Sequence, residues 1–506
     1  MSIEIQVLGA GCEVGRSCIL LTIKDRRILF DCGAHPGFED EDRFPAFQKL
    51  PSGVLNEIEA ILVSHYHFDH VGGLPYLTEI LSCPAAVYMT EPTEELSRLL
   101  LKDFVATSKG RNQSCPYTES DVEKCLERVK TLQLGDQVTV GTPNDISVAT
   151  FYAGHAIGGV MFFVQHAGTS VLYSGDYCMS SDGHLGAARV PFGLQPDVFI
   201  SEGTYCNVLY PEGRFRREEE LVDTIVKTVQ NDGKVLIPIP ALGKTQGICS
   251  MISKHLESSA LANIPIYITE GFASKANMSH IKHSEWTVTR KLGCWECERR
   301  QGGKKRSRFN DACSHELLKN LRPFHRNEHW NLVYQKGPMI LFATPGNMST
   351  GVSCDVFKVW SSSPQNLVVM PGFLLTNVVS SRVSSEVLAA TDTSAPDIRC
   401  RTVNQISHIH SDKRGILRMC RQIQAKGVVL VHGEKQRLTE FKKELGQTLG
   451  VPCYAPEIGE LLRIDTGELK RSGFGDGRRN NLSELTTKWR SVLSSYERMT
   501  KGGSNS

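Results

Sequence analysis

A cluster of metal-ligand side chains directly after an apolar strand limits what this chain can be more than any other feature. An apolar segment with the composition of a buried strand, Ile58–Val63, is followed by His65-Tyr66-His67-Phe68-Asp69-His70. Alternate residues of an extended chain point the same way, so His65 and His67 can meet one ion. Asp69 and His70 follow on a turn and can face a second ion, and zinc accepts both imidazole nitrogen and carboxylate oxygen. The sequence therefore predicts a metal centre at a strand end, in preference to a chance cluster of surface histidines.

One loop cannot supply every ligand for two ions, so further ligands must come from distant parts of the chain. Three strand-end segments qualify, because each follows an apolar run and adjoins a glycine that leaves room for an ion. They are Ala153-Gly154-His155, Ser174-Gly175-Asp176 and Leu430-Val431-His432-Gly433. A single histidine in such a place is more often structural. The occurrence of all three beside the histidine-rich loop favours His155, Asp176 and His432 as ligands.

Strand and helix patterns indicate an α/β protein in several stretches. Short apolar or alternating runs predict the strands Ile3–Leu8, Cys18–Ile23, Arg27–Phe30, Val138–Ala149, Val160–Gln165, Val171–Tyr173 and Val198–Ile200. Helical patterns cover Glu91–Thr107, Glu119–Val129 and Glu218–Gln230. After about Tyr205, strand–loop–helix units such as Lys234–Ile239 and Met339–Gly346 predict a parallel α/β domain.

Composition and charge place few limits on the binding partner. The chain has 506 residues, of which 40% are hydrophobic, so two or three domains are expected at roughly 150 residues each. With a formal net charge of +2, a nucleic acid would have to be met by local basic patches. The 16 cysteines are scattered, which indicates reduced thiols and not a disulfide framework. Since neither a signal peptide nor a membrane-spanning apolar run is recognised, we expect a soluble, intracellular protein.

The order of these motifs resembles a known family. His-x-His-x-Asp-His with a later Gly-His, Gly-Asp and His is similar to the metallo-β-lactamase pattern, and the inserted stretch between Ser201–Tyr205 and Val431–Glu434 resembles the β-CASP nuclease branch. The implied fold is α/β, a metallo-β-lactamase αββα sandwich with an inserted β-CASP α/β domain. Its segments would be 1–205, the first part of the metallo-β-lactamase domain; 206–395, the β-CASP domain; 396–465, the returning part; and 466–506, a polar tail that we expect to be mobile.

Within this branch, Leu8–Leu20 and His184–Ala188 are most similar to the endonuclease subunits of the Integrator complex. Those of cleavage and polyadenylation specificity factor come next. The resemblance implies a nuclear RNA 3′-end-processing endoribonuclease, also present in the cytoplasm, that cleaves precursor or nascent RNA by two-metal hydroxide attack and leaves a 3′-hydroxyl and a 5′-phosphate. Implied partners are RNA, a homologous inactive β-CASP subunit and other subunits of an RNA-processing complex, with no membrane.

The family pattern also implies a role for each site residue. Two zinc ions per chain would be held, the first by His65, His67, His155 and Asp176 and the second by Asp69, His70, Asp176 and His432. The catalytic residues would be His410, which protonates the leaving oxygen, Glu202, which orients it, and Asp69.

The chain departs from the family pattern around the substrate and not among the ligands. His408-Ile-His410-Ser-Asp412 replaces Ser-Ala-His-Ala-Asp, so the His-x-Asp register assigns the acid to His410, with His408 as the alternative. Gly247 stands where the family has an acid, and Gly203 where it has a serine. These changes bear on rate and specificity more than on metal binding.

Two other functions remain open. A non-catalytic scaffold subunit would be expected to have eroded ligand positions, but all seven are intact. A DNA nuclease of the same branch typically lacks a histidine at the position of His432, so its presence favours RNA.

Several weaker signals have ordinary explanations. The glycines of Gly9–Gly15 have the wrong spacing for a dinucleotide fingerprint and favour a turn under the active site. Asp31 either supports the metal site or caps a turn. Lys244 and Thr245 begin a helix, where either phosphate binding or a purely structural role is expected. Cys294 and Cys297 have zinc-ligand spacing, but a plain loop is favoured. For the basic segment Arg299–Arg308, a solvated loop is favoured over an RNA contact or an import signal.

Overall fold

The computed structural model describes residues 2–39, 41–110, 114–181, 184–210, 214–239, 245–257, 263–287, 321–346, 348, 350–371, 398–405, 409–467 and 469. Five of the sequence predictions lie outside this part of the chain. They concern Lys244, the Cys294 and Cys297 pair, Arg299–Arg308, His408 and the tail after 469.

The first sheet has seven described strands and joins the start of the described chain to its end. Its order is β20-β1-β2-β3-β4-β5-β6. The strands are β1 Ser2–Gly9, β2 Cys18–Ile23, β3 Arg26–Phe30, β4 Ile58–Leu62, β5 Ala86–Thr90, β6 Val129–Leu132 and β20 Leu461–Asp465. β1 pairs antiparallel with both β2 and β20, and its Ser2 lies opposite Asp465. From β3 to β6 the strands run parallel.

The second sheet carries most of the strand ends that matter for the site. Its order is β19-β18-β11-β10-β9-β8-β7. The strands are β7 Gln137–Val140, β8 Ile146–Tyr152, β9 Val160–His166, β10 Thr169–Tyr173, β11 Val198–Glu202, β18 Gly427–Val431 and β19 Cys453–Tyr454. β10, β11 and β18 are mutually parallel, and β8 points the same way because two antiparallel pairings through β9 separate it from β10.

The two sheets pack face to face, with helices on both outer faces. One buried cluster contains side chains of both inner faces, such as Ile5, Phe30, Val148 and Val429. A second covers the outer face of the first sheet, against the helices α1 Phe68–Val71, α2 Glu91–Gly110 and α3 Glu119–Glu127. A third lies under α10 Lys413–Ile423 and α11 Lys435–Leu449, on the outer face of the second sheet. This arrangement is the αββα sandwich predicted from the sequence.

The inserted stretch forms a third, parallel sheet with its own two cores. Its order is β14-β13-β15-β12-β16-β17. The strands are β12 Lys234–Pro238, β13 Ile266–Thr269, β14 Leu321–Phe324, β15 Met339–Ala343, β16 Leu367–Pro371 and β17 Arg401–Gln405. One face packs on α4 Arg214–Gln230, α5 Thr245–Glu257 and α6 Phe272–Lys282. On the other face, the ring of His329 in α7 Arg326–His329 contacts Tyr267 and Phe324. The core of that face packs on α8 Asn331–Tyr334 and α9 Gly351–Trp360.

Three local predictions differ from the structure. The strand predicted over Val138–Ala149 is two strands, β7 and β8, because Gly141-Thr-Pro-Asn-Asp145 forms a turn between them. The helix predicted to reach Val129 ends at Glu127, and Val129 begins β6. β17 pairs with β16, so the third sheet continues beyond residue 395, where the insert was expected to end.

Candidate metal centre and acid–base pair

The histidine-rich loop leaves β4 and is held tightly from behind. Main-chain nitrogens of Ser17 and Cys32 donate to the carbonyl oxygens of Asp69 (2.7 Å) and His70 (3.0 Å). A Cβ atom on Gly33 would lie 1.7 Å from the carbonyl oxygen of Asp69, so only glycine lets the loop approach this closely. His65 and His70 are buried, with 1% of each side chain's surface exposed. The loop therefore presents its ligand-type side chains from a fixed backbone.

The predicted ligands of the first ion converge from three strand ends. One ligand-type atom from each of His65, His67, His155 and Asp176 lies within 4.8 Å of every other. Nδ1 of His67 is 3.0 Å from Nε2 of His65 and 3.0 Å from Nε2 of His155. Oδ2 of Asp176 lies 3.7 Å and 3.6 Å from those same two Nε2 atoms.

A second cluster adjoins the first, and Asp176 lies close to both. Asp69, His70 and His432 also place ligand-type atoms within 4.8 Å of one another. Nε2 of His432 lies 3.0 Å from Oδ2 of Asp69, and Oδ2 of Asp176 lies 3.3 Å from Nε2 of His70. Oδ1 of Asp176 is 3.5 Å from Nδ1 of His432. Asp176 therefore stands between the two clusters, and the seven predicted side chains form one group.

Hydrogen bonds on the far side of three of the rings fix which nitrogen faces the clusters. His155 donates from Nδ1 to the carbonyl oxygen of Ile409 (2.8 Å), and His70 donates from Nδ1 to Oδ2 of Asp31 (2.7 Å). Nδ1 of His432 is 3.0 Å from the hydroxyl oxygen of Thr204. In a neutral imidazole this leaves Nε2 with a bare lone pair. Three such nitrogens therefore face the clusters.

This donor set fits a metal cation. Nε2 of His70 and Oδ1 of Asp176 are buried and make no hydrogen bond with any described residue. A bare imidazole nitrogen 3.0 Å from a carboxylate oxygen, as between His432 and Asp69, is repulsive unless a cation or proton lies between them. Nitrogen and oxygen donors in this number are those that zinc takes. The residues present thus fit bound metal ions.

Burial and charge set the protonation of the rings in opposite directions. Burial lowers the pKa of His65 and His155 well below the ordinary range and that of His67 to about 4. For His70, burial acts the same way, but the carboxylates of Asp176, Asp69 and Asp31 outweigh it and raise the pKa. The first three rings are therefore neutral, which is the form that binds a metal.

Asp31 is the hub behind the second cluster. Its carboxylate accepts from the main-chain nitrogen of Ser64 (2.6 Å), the Ser64 hydroxyl (2.9 Å), His70 Nδ1 (2.7 Å) and the Tyr173 hydroxyl (2.5 Å). Of the two roles open to Asp31, support of the metal site matches these contacts. The backbone of Asp31 has φ 56°, a left-handed conformation that asparagine also tolerates. Ser64 and Tyr173 had no motif that could have identified them, since they contact the site only through Asp31.

Replacing Asp31 by asparagine should lower metal affinity by about 10- to 100-fold, the usual cost of losing an outer partner of a histidine ligand. Asparagine keeps the backbone conformation but loses the charge that orients His70. Titration of metal-free protein with zinc, in competition with a chelating dye, measures the effect. Tyr173→Phe is the matched control, because it removes one bond to Asp31 and leaves His70 in place. Equal affinities for wild type and Asp31→Asn would contradict this role.

His410 and Glu202 form a buried pair beside both clusters. Nδ1 of His410 lies 2.7 Å from Oε2 of Glu202 and 3.8 Å from Oδ2 of Asp176. Oε1 of Glu202 accepts from the main-chain nitrogen of Tyr177 at 2.7 Å. Burial disfavours the charged ring, but Glu202 and Asp176 outweigh it and raise the pKa of His410 to about 9. A cation bound nearby would oppose that rise. The geometry leaves Nε2 of His410 as the nitrogen that can carry a transferable proton.

Thr204 is a site residue that the sequence showed only as part of a motif. Its hydroxyl donates to Oε2 of Glu202 at 2.7 Å and faces Nδ1 of His432 at 3.0 Å. One side chain thus links the acid–base pair to a member of the second cluster. Its position two residues after Glu202 at the end of β11 could have indicated this.

Two of the three departures from the family pattern can be placed. A Cβ on Gly203 would lie 2.3 Å from Cδ2 of Leu438, so the glycine lets α11 pack closely. Gly247 lines a narrow crevice together with His67 and His155, so the position where the family has an acid lies beside the first cluster. The turn at Gly9–Gly15 supports the site: His432 donates from its main-chain nitrogen to Ala10 (2.8 Å), and Gly433 to Glu13 (3.1 Å).

Comparison with family models finds three matches along the chain. Residues 20–196 match the metallo-beta-lactamase superfamily domain, residues 245–377 the Beta-Casp domain, and residues 395–456 the Zn-dependent metallo-hydrolase RNA specificity domain.

Curated relatives match over most of the chain. It is 34% identical over 470 residues to cleavage and polyadenylation specificity factor subunit 3-II of Arabidopsis thaliana, covering 91% of this chain and 72% of the relative. It is 33% identical to the Integrator complex subunit 11 homolog of Dictyostelium discoideum, covering 92% of this chain and 62% of the relative. Integrator complex subunit 11 of Danio rerio is also 33% identical, with 92% and 74% covered. The chain thus spans between 62% and 74% of the length of these three relatives.

Among solved structures, a protein of unknown function from Enterococcus faecalis aligns with a TM-score of 0.55 and 14% sequence identity, covering 92% of this chain and 100% of that chain. At this identity the match shows a shared fold alone.

Proposed function

The chain belongs to the metallo-β-lactamase β-CASP family of metal-dependent nucleases, and on that basis we propose that it is a zinc-dependent endoribonuclease of RNA 3′-end processing. One observation carries the proposal: seven ligand-type side chains and the His410–Glu202 pair meet in a single buried site. A scaffold subunit would have no use for such a group, since buried ionisable side chains cost stability unless they are paired or bind a metal.

We assign the first zinc to His65, His67, His155 and Asp176, and the second to Asp69, His70, Asp176 and His432. When bound, the two ions would activate a water molecule near neutral pH and offset the charge of the phosphoryl group under attack. Asp176 belongs to both sets because its Oδ2 lies 3.7 Å and 3.6 Å from Nε2 of His65 and His155 and 3.3 Å from Nε2 of His70. Asp31 and Thr204 keep the rings of His70 and His432 turned so that Nε2 faces the ion.

His410 supplies the proton for the leaving group. Nδ1 is engaged by Glu202, so the transferable proton is on Nε2. As the bond between phosphorus and the 3′ oxygen breaks, this proton passes to that oxygen and a 3′-hydroxyl leaves, while the other fragment keeps a 5′-phosphate. Glu202 fixes the ring and offsets its charge, and the Tyr177 main-chain nitrogen and Thr204 hydroxyl hold Glu202 in turn.

RNA is favoured over DNA as the substrate. Residues 395–456 match an RNA specificity domain, and His432 is present where DNA nucleases of this branch typically lack a histidine. We expect purified full-length protein to cleave single-stranded RNA and to act much more weakly on DNA of the same sequence. Time courses with end-labelled oligonucleotides of both kinds measure this. Equal rates would assign the chain to the DNA-cleaving nucleases, and the Asp69→Ala, His70→Ala variant controls for contaminating nuclease.

The same family membership suggests where and with what the protein works. By analogy with the relatives named after the Integrator complex and after cleavage and polyadenylation specificity factor, we propose that it acts in the nucleus within an RNA-processing complex. A homologous inactive subunit would be among its partners. No described helix is long and apolar enough to cross a membrane.

A further inference from the structure

Helix α10 presents a face of arginines to solvent. Its sequence is Lys413-Arg-Gly-Ile-Leu-Arg-Met-Cys-Arg-Gln-Ile423, with no acidic residue. Ile416, Met419, Cys420 and Ile423 are buried against the second sheet. Arg414, Arg418 and Arg421 are exposed, and a spacing of four and three residues places them on one side of the helix. The outer face is thus a row of like charges.

The charges at the far end of this row are not neutralised. Lys413 is matched by Glu444 at 2.5 Å, but neither Arg418 nor Arg421 forms an ion pair with any described residue. Like charges one turn apart on a helix repel each other and destabilise it. A row of arginines that repel one another is suited to bind a polyanion whose charges are evenly spaced.

An exposed aromatic side chain lies at the end of the helix. Phe192 is 73% exposed, yet its loop is firmly held. The main-chain nitrogens of Gly193 and Gln195 donate to the carbonyl oxygens of Gln422 (2.9 Å) and Ile423 (2.7 Å), and Nε2 of Gln422 donates to the carbonyl oxygen of Val190 (2.6 Å). The ring is therefore presented to solvent by a fixed backbone, next to the last turn of α10.

The helix starts at the active site. Asp412 caps its first turn by accepting from the main-chain nitrogen of Gly415 (2.8 Å), and His410 stands two residues before that cap. Eleven helical residues rise about 16 Å, so the arginine row leads from the rim of the site to Phe192.

We propose that the exposed face of α10, with Phe192 at its end, is a binding track for single-stranded RNA leaving the active site. The arginines would contact successive phosphates, and Phe192 would stack on a base. Basic grooves interleaved with aromatic rings are how proteins hold single strands without reading their sequence. The inference rests on the proposed function and extends it to substrate outside the cleavage site. A protein partner is less favoured, because the arginine row offers no apolar centre of the kind that stable interfaces bury.

The test compares RNA affinity and its salt dependence in full-length protein carrying His410→Ala, so that bound RNA is not cut. Fluorescence anisotropy with an oligouridine of about 20 nucleotides should show affinity falling about 10-fold or more for Arg418→Ala with Arg421→Ala. The slope of log affinity against log salt should fall by about 1.4, at roughly 0.7 for each phosphate that the variant no longer neutralises. Phe192→Ala should lower affinity about 5-fold or more without changing the slope. An oligomer of about five nucleotides, filling only the active site, should bind all variants alike.

Lys442→Ala with Lys443→Ala on α11 is the matched control, since it removes the same charge from another helix. Equal decreases in affinity for the two double variants would overturn the track, because a general effect of net charge would then explain both. RNA binding that is unaffected by the arginine changes would also overturn it and leave the face to a protein partner, while cleavage by the unaltered protein would still support the proposed function. If the parent protein binds no RNA of either length, this result contradicts both the proposed function and the proposed binding track.

Discussion

Replacing His410 by alanine should lower the rate of RNA cleavage by about 10²–10⁴-fold, the usual contribution of a positioned general acid, and leave both metal sites filled. The reason is geometric. The His410 ring lies beside the clusters and forms a hydrogen bond through Nδ1 with Glu202, and His410 belongs to neither proposed ligand set. Single-turnover rates together with zinc content by elemental analysis measure the two quantities separately. A variant that loses zinc would show that His410 is a ligand or a structural support instead.

A substrate with a better leaving group sharpens this test. An activated leaving group needs less protonation, so it should partly restore the rate of His410→Ala. His408→Ala is the natural comparison, because His408 is the other histidine of the motif. We expect this variant to lower the cleavage rate less than His410→Ala does. Should His408→Ala be the inactive variant and be the one that is rescued, the register of the motif is wrong by two residues.

The double change Asp69→Ala with His70→Ala should remove one of two zinc ions per chain and abolish cleavage. Both side chains belong to the second cluster, and without them only Asp176 and His432 remain there, fewer than the three protein ligands that catalytic zinc sites have. Elemental analysis should give about two zinc ions in the parent and about one in the variant. The first cluster should stay filled, since its own ligands are untouched.

Phe68→Leu is the control for this loop, because Phe68 directly precedes the two changed residues but offers no ligand atom. It should keep two ions and most of the activity. Full activity in the double variant would refute the two-metal assignment. Loss of both ions would mean that the two clusters fill together, through Asp176.

More of the candidate site than of the strand pairing could be predicted from the sequence. His155, Asp176 and His432 were found because each stands just after an apolar run and beside a glycine, and in a parallel arrangement such strand ends meet at one edge of the sheet. The family resemblance singled out Glu202 and His410, and the structure brings these two side chains together. Ser64 and Tyr173 carried no such signal, since their hydroxyls contact the site only through Asp31.

Strand partners were not predictable from local pattern. An alternating run indicates a strand but not which strand lies beside it, so neither the pairing of β1 with β20 nor that of β16 with β17 was foreseen. The turn that separates β7 from β8 could have been predicted from the sequence, because glycine, proline, asparagine and aspartate in Gly141–Asp145 favour turns for known physical reasons.

The pairing of β1 with β20 has a consequence for how the protein is made. Ser2 lies opposite Asp465, so β1 cannot pair with β20 until the ribosome has added residue 465, roughly 20–90 s after it added residue 2. His410 and His432 also belong to this late segment. A nascent chain therefore carries the histidine-rich loop long before His410 and His432 are added, and the seven-residue group with its neighbouring His410–Glu202 pair is incomplete until then.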